Sequence, residues 1–437
     1  MIIFLISNSF PINKLFKFMP NLLRAAKIAA SSLVLTFSLN TSAQDFDNIA
    51  ETYVAIAHQN YSDSLNLAKE MFDQIQIFTE NPNEANLANA KSAWRNARAV
   101  YSQTETFRFA HPVVDEWEVQ VNAWPLDEGF IDYVDDDNYF YELGNPVGQA
   151  NIVASEELRW GPNNLNLSEL TPALLASLNE LGGTEANVAT GWHAIEFLLW
   201  GQDLNGTQPG AGERPATDYA QDETCTNGNC ARRAEYLFAV TELLISDLNY
   251  IVDVWNTEEP DSYATEFLSF NSNEQLRRIL YGMGSLSLGE LAGERMKVAL
   301  FANSTEDEHD CFSDNTHATL YYNAKGIDNV LRGHYVAIDG QTLIGPSLLS
   351  WAESHDGQLA SNLDESFNQA LSHISQIVES TESGVAFDQL IAPGNSNGSQ
   401  LINASINALT EQTRNLELLA NAMQLGSLNP DNAGHDF

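Results

Sequence analysis

Basic residues are scarce in this chain. Its 437 residues carry 20 Lys and Arg against 59 Asp and Glu, a formal charge of −39. The first 43 residues hold four of those bases (Lys14, Lys17, Arg24 and Lys27) and no acid, so the remainder has 16 bases against 59 acids, or −43. A surface this acidic repels nucleic acid and anionic membranes and attracts cations, which argues against a nucleic-acid partner. Bulk charge of this kind is mostly solvated surface and marks no particular site. Long apolar runs are also missing. Beyond the N-terminus none reaches 18 residues, so the mature chain has no candidate membrane span. Cysteine is nearly absent, with three in all. Cys225 and Cys230 bracket the turn-prone "TNGN" and suit a small local disulfide in an oxidising compartment. Two thiols alone make a poor metal site, and Cys311 is left over as a free thiol. Nor does any stretch alternate as a run of strands does.

Helical periodicity is what fills the chain. It marks segments at about 46–79, 83–109, 166–181, 184–200, 231–256, 273–302, 314–336, 357–382 and 398–426, separated by breaks rich in Pro, Gly and Asn. The pattern predicts an all-α protein of packed helical bundles, and 44% hydrophobic content is ample for its core. A boundary within 201–230 divides the chain into two expected lobes, 44–215 and 216–437. Residues 1–43 read as an export signal. Met19 is a plausible true start, Arg24 and Lys27 form a basic flank, "IAASSLVLTFSL" is a short apolar stretch, and "TSA" offers small residues for cleavage. No cysteine follows the cut, so there is no lipid-anchor signal. The expected location is the periplasm or cell envelope.

"GWHAIEFLLWGQD", residues 191–203, raises the sharpest chemical question. On a helix His193 and Glu196 lie about 60° apart, on one face. Trp192, Ile195, Leu198 and Leu199 make the rest of the circumference apolar, and a helix apolar all round is buried. A buried carboxylate without a partner costs several kcal/mol or gives up its charge. A metal, an arginine or a ligand must therefore answer Glu196.

Four other stretches carry candidate groups. In "AWRNARAVYSQTETFRF", Trp94, Arg98, Tyr101, Glu105 and Arg108 form one aromatic and ionic stripe. That stripe is either a buried ion pair of Glu105 with Arg98 or Arg108, or the lining of a polar cleft. There Arg108 could hold a carboxylate and Glu105 could reach a metal. In "NAWPLDEGFIDYV", Asp127 and Glu128 fall in the first turn of a helix after Pro125, where the helix dipole favours acids. In "YGMGSLSLGELAGERMKVAL", Gly282, Ser285, Gly289 and Gly293 line a narrow stripe fit for close approach of a helix or ligand. Glu290 and Glu294, one turn apart, are either a cation site or a pair matched by arginines. In "STEDEHDCFSDNTH", His309 sits among acids, Ser313 reads as the N-cap of a helix starting at Asp314, and His317 lies on its first turn. Imidazole and carboxylate donors at this density suit iron, zinc or manganese.

Together these stretches resemble the imelysin family, peptidase M75. "GWHAIEFLLWG" matches its G-x-H-x-x-E motif. "YSQTETFRF", "NAWPLDEGFIDYV", "GERM" and "EDEHDCFSDNTH" are similar to blocks of its branch called iron-regulated protein A, with one departure: Asp310 stands where a serine is expected. The resemblance runs from about residue 93 to 323. It implies a two-lobed helical envelope protein with a site between bundles and His193 and Glu196 as metal ligands. Glu105, Glu290 and Glu294 are further candidate ligands. Arg98, Tyr101, Arg108, Asp127, Glu128, His309, Asp314 and His317 would surround them. The expected cofactor is a divalent or ferric ion, iron first and zinc second. Three functions compete: binding of a metal ion or its chelate, metal-dependent cleavage of peptides, and non-catalytic docking of envelope components. A zinc peptidase would need three protein ligands and a general base, and these motifs supply only two ligands on one helix.

Overall fold

The computed structural model describes residues 22–135, 137, 139 and 144–437, with side chains from residue 45 onward. Met1–Asp45 and Phe46–Phe437 are separate units. In the first, the described backbone, from Leu22, is helical. The expected export signal lies outside the described residues over 1–21, and none of its side chains is described. Among the described residues no helix is long and apolar enough to cross a membrane.

The second unit is all-α. It contains α1 (Leu22–Glu80) from Phe46 on, α2 (Glu84–Ser102), α3 (Pro112–Asn122), the short α4 (Glu128–Ile131), α5 (Pro172–Leu178) and α6 (Gly191–Trp200). Then come α7 (Cys230–Val254), α8 (Tyr263–Ser269), α9 (Ser272–Ser285) and α10 (Ala299–Ala302). The last third holds α11 (Thr316–Arg332), α12 (Leu348–His355), α13 (Gly357–Glu382), α14 (Phe387–Leu390) and α15 (Ser396–Ala422). The described strands form two small antiparallel hairpins. In one, β1 (Glu157–Trp160) pairs with β2 (Asn163–Asn166), and in the other β3 (His334–Val336) pairs with β4 (Thr342–Ile344).

Local chemistry explains the boundaries that matter for the site. Asn83 caps α2, its side chain accepting from the amides of Ala85 and Asn86. A 3-10 turn, Gln103–Phe107, then extends α2. Pro112 opens α3 at a position where its missing N–H costs nothing. Helix α6 has all ten residues buried, as its uniformly apolar circumference requires, and packs among α2, α3 and α7. The α2–α6 seam is tryptophan. Trp94 lies 5.4 Å from Trp200 and 6.4 Å from Trp192, and its indole N–H donates to the Trp192 carbonyl at 3.1 Å. Each such buried ring contributes on the order of 2–3 kcal/mol in transfer terms.

Two local expectations are corrected. Ser313 does not cap a helix at Asp314. The helix starts at Thr316 behind Asn315, and Asp314 takes a left-handed conformation with φ 54°, because Ser313 bonds elsewhere. The 281–300 stretch is also not one α-helix, since Leu286–Val298 is π-helical. A π turn brings residues five apart together. Glu290 thereby meets Arg295 at 3.3 Å, although α-helical spacing puts them on different faces.

Helix α7 also carries Asp247, whose carboxyl burial alone pushes up to about 7. A carboxyl raised by folding favours the native state at low pH, and that advantage is lost as pH rises through the folded value. Asp247→Asn is therefore expected to leave stability unchanged below the ordinary carboxylate pKa of about 4 and to raise it above about 7. Urea midpoints measured across that range check this, and a variant weaker than wild type at alkaline pH would refute it.

Candidate functional site

Four segments meet at one buried point. Helix α2 contributes Arg98, the end of α3 Asn122, α6 His193 and Glu196, and the loop before α11 His309, Asp310 and Ser313. All these side chains are at most 4% exposed. One nitrogen of each imidazole and one Asp310 oxygen lie within 4.8 Å of one another. Arg98 Nη2 stands among them, 3.2 Å from His193 Nε2, 3.4 Å from His309 Nδ1 and 3.0 Å from Asp310 Oδ1. Its Nη1 donates to Asn122 Oδ1 at 2.5 Å.

A guanidinium can only donate. The nitrogens of His193 and His309 that face Arg98 must therefore be unprotonated. That places the His193 proton on Nδ1, where it donates to Glu196 Oε2 at 3.2 Å. The other Glu196 oxygen accepts from the Ser313 amide at 3.0 Å and from its hydroxyl at 2.6 Å. Both Glu196 oxygens are thus taken. The carboxylate orients His193, a support common behind metal-bound imidazoles. Burial and the Arg98 charge push the His193 imidazole down to about 3, and burial and Arg295 push His309 down as well. Burial would raise Asp310, but the Arg98 charge, with His193 and the hydrogen bonds from Thr319 and Arg98, holds the carboxyl below its usual range. Asp310 also accepts from Thr319 and Asn315. Burial and the nearby Asp310 charge raise Glu196.

A cleft of about 420 Å³ reaches this point, lined by Arg108, Glu118, Asn122, Glu290, Arg295 and His309 among others. Trp124 flanks its floor, edge-on to His309 at 5.2 Å. The remaining candidates are placed as follows. Glu105 reaches Arg295 at 2.5 Å and Asn323 at 3.0 Å, so neither Arg98 nor Arg108 is its ion-pair partner. Arg108 binds Asp115, Glu118 and Glu290 at 2.8, 3.4 and 3.5 Å. Glu294 meets His435 at 3.0 Å. Tyr101 packs on Trp192, with the Arg98 guanidinium 5.5 Å from its ring. Asp127 accepts from Asn145 and Glu128 from Gln202. His317 turns to the Asp314 carbonyl. Cys225 and Cys230 are joined in a disulfide, and Cys311 is free. The glycine stripe receives backbone and tail: Gly282 faces the carbonyls of Thr106 and Phe109, Gly289 faces Asp431, and Gly293 faces His435.

Sequence reasoning did not place Asp310, Asn122 or Ser313 among the site residues. Asp310 had a signal, an acid adjacent to a histidine and out of place for the motif. The other two had none.

The donor set fits a transition metal: two neutral imidazole nitrogens and a carboxylate oxygen. The guanidinium is the group an ion would have to displace.

Solved structures share the fold. One, from Parabacteroides distasonis ATCC 8503, is described as an iron-regulated protein A precursor. It has 17% identity and a TM-score of 0.62 over 87% of this chain and 95% of its own. Another, an imelysin-like protein from Psychrobacter arcticum 273-4, has 12% identity and a TM-score of 0.54, covering 86% and 94%. No curated protein matches the chain at a significant level. The family model for imelysin, peptidase M75, matches residues 57–416, and with most of its length accounted for the chain belongs to the imelysin family.

Proposed function

We propose that this protein is exported to the cell envelope and binds a transition metal, iron first, at His193, His309 and Asp310. One observation carries the reading: three acceptors converge on a single point held by one cationic nitrogen. That nitrogen has two protons for three acceptors, while Arg98 Nε reaches both Asp310 oxygens, at 3.2 and 3.5 Å. A metal ion would serve all three at once, and its charge would replace the guanidinium beside Asp310. Glu196 is here a positioning residue, holding the His193 tautomer that turns a lone pair inward. The cleft gives an ion or a small chelate a route to His309. The name of the Parabacteroides relative, an iron-regulated protein, supports iron over zinc. Of the two lobes expected from sequence, 44–215 supplies Arg98 and His193, and 216–437 supplies His309 and Asp310. That division is itself a proposal, open to limited proteolysis in the 201–217 loop.

Titration of ferrous, ferric and zinc ions into the purified chain tests this. His193→Ala is expected to weaken binding by at least about tenfold, worth about 1.4 kcal/mol per decade. Wild-type protein that binds none of the three ions would sink the proposal.

Peptide cleavage is a second reading. Glu118 favours it: this buried carboxyl lines the cleft and is raised by its burial despite Arg108. It could serve as a general base. Hydrolysis of an unfolded protein that is lost in Glu118→Gln would support it.

A further inference from the structure

An ion at the point where His193, His309 and Asp310 converge leaves the Arg98 guanidinium to be received elsewhere. Arg98 is fully buried. It does not shed its proton, and a buried charge left unpaired is strongly destabilising. The receiver must be a nearby carboxylate. Glu196 is taken at both oxygens, by His193 and by Ser313. The Glu105 charge acts on Arg98, but Arg295 at 2.5 Å and Asn323 at 3.0 Å hold its two oxygens. Glu118, only 5% exposed, is served least. Its Oε2 lies 3.4 Å from Arg108 Nη1, which also faces Glu290 at 3.5 Å, while Arg108 Nε donates to Asp115 at 2.8 Å. Burial pushes the Glu118 carboxyl up, and the Arg108 charge does not offset it.

One side chain separates this carboxylate from Arg98. Asn122 Oδ1 accepts from Arg98 Nη1 at 2.5 Å, and Asn122 Nδ2 donates to Glu118 Oε1 at 2.8 Å. The amide thus turns its acceptor to the cation and its donor to the anion. Asn122 and Glu118 both line the cleft of about 420 Å³, so open volume lies next to each. We propose that Glu118 is a positioning residue, the acceptor that receives the Arg98 guanidinium across Asn122 when a transition metal enters the centre. The inference rests on the metal-binding reading of that centre. Positive charge then arrives at Asp310 and moves off towards Glu118, which gains the close partner that Arg108 does not supply. Glu118 therefore bears on ion affinity only through Arg98. Their energies should couple as those of residues in one hydrogen-bonded network do.

Calorimetric titration of the full chain with ferrous or zinc ion tests it. Glu118→Gln keeps an acceptor for Asn122 and removes only the charge. It is expected to weaken ion binding by about tenfold or more in the wild-type background, and by less than about twofold in Arg98→Gln, where no guanidinium needs a receiver. Glu118→Asp, which keeps the charge, should stay within about threefold of wild type. That comparison decides alone where Arg98→Gln does not fold. A merely structural role for Glu118 would weaken both backgrounds alike. Equal weakening in the two, no weakening by Glu118→Gln, or a Glu118→Asp as weak as Glu118→Gln overturns the inference and leaves the binding reading standing. A wild-type chain that binds neither ion overturns this inference together with that reading.

Discussion

Arg98→Gln is expected to destabilise the metal-free protein by about 3–5 kcal/mol and to tighten its hold on a transition metal by about tenfold or more. The first half follows from burial. Asp310 and Arg98 are both fully enclosed, 3.0 Å apart. Removing one member of such a pair strands the other charge. The second half follows from competition. Arg98 Nη2 occupies the point where the two imidazoles and Asp310 converge. An entering ion must displace it, and a guanidinium does not leave by losing its proton. Glutamine is shorter and uncharged, so the ion meets an open point and an unpaired carboxylate. Urea melts in chelator measure the loss, and calorimetric titration measures the gain. The two should be linked, with added metal restoring most of the lost stability. If the loss appears and no metal reverses it, Arg98 is a permanent structural cation and the centre holds no ion.

Gly191→Ala carries the second large effect, a loss of about 3–5 kcal/mol from strain and overpacking together. Gly191 opens α6 at φ 79°, and a Cβ there would lie 2.2 Å from the Val121 carbonyl oxygen. Only glycine combines that conformation with that approach. Relief requires α6 to move away from the end of α3, and His193 follows two residues later. Metal affinity should fall along with stability. Gly228→Ala is the control, with φ 70° and nothing within 4 Å of the Cβ it would gain. It should cost only the left-handed penalty, about 1–2 kcal/mol. Thermal and urea denaturation of the two variants separate contact from conformation. Equal losses in both would refute the role given to Val121.

Much of α6 was legible beforehand, because an apolar circumference has one solution, burial. The shared face of His193 and Glu196 followed from helical periodicity. What periodicity cannot reveal is which distant segment answers a face. Glu105 was legible as a buried acid needing a base, yet its arginine lies 190 residues away on a π-helical stretch. Glu196 was legible as needing a partner, and Ser313, 117 residues on, was read as a helix cap. The small-residue stripe at 282–293 was legible as a close contact, but its occupants include the chain's last residues rather than another helix. The π turn itself was invisible, since α and π segments use the same residues and differ only in how the backbone closes its hydrogen bonds.

Arg98 meets His193 across 95 positions of chain and Asp310 across 212. A polypeptide emerging from the ribosome owns only scattered pieces of that arrangement. The centre exists only once those distant stretches have found each other. If the centre takes an ion as proposed, only the folded chain can take it.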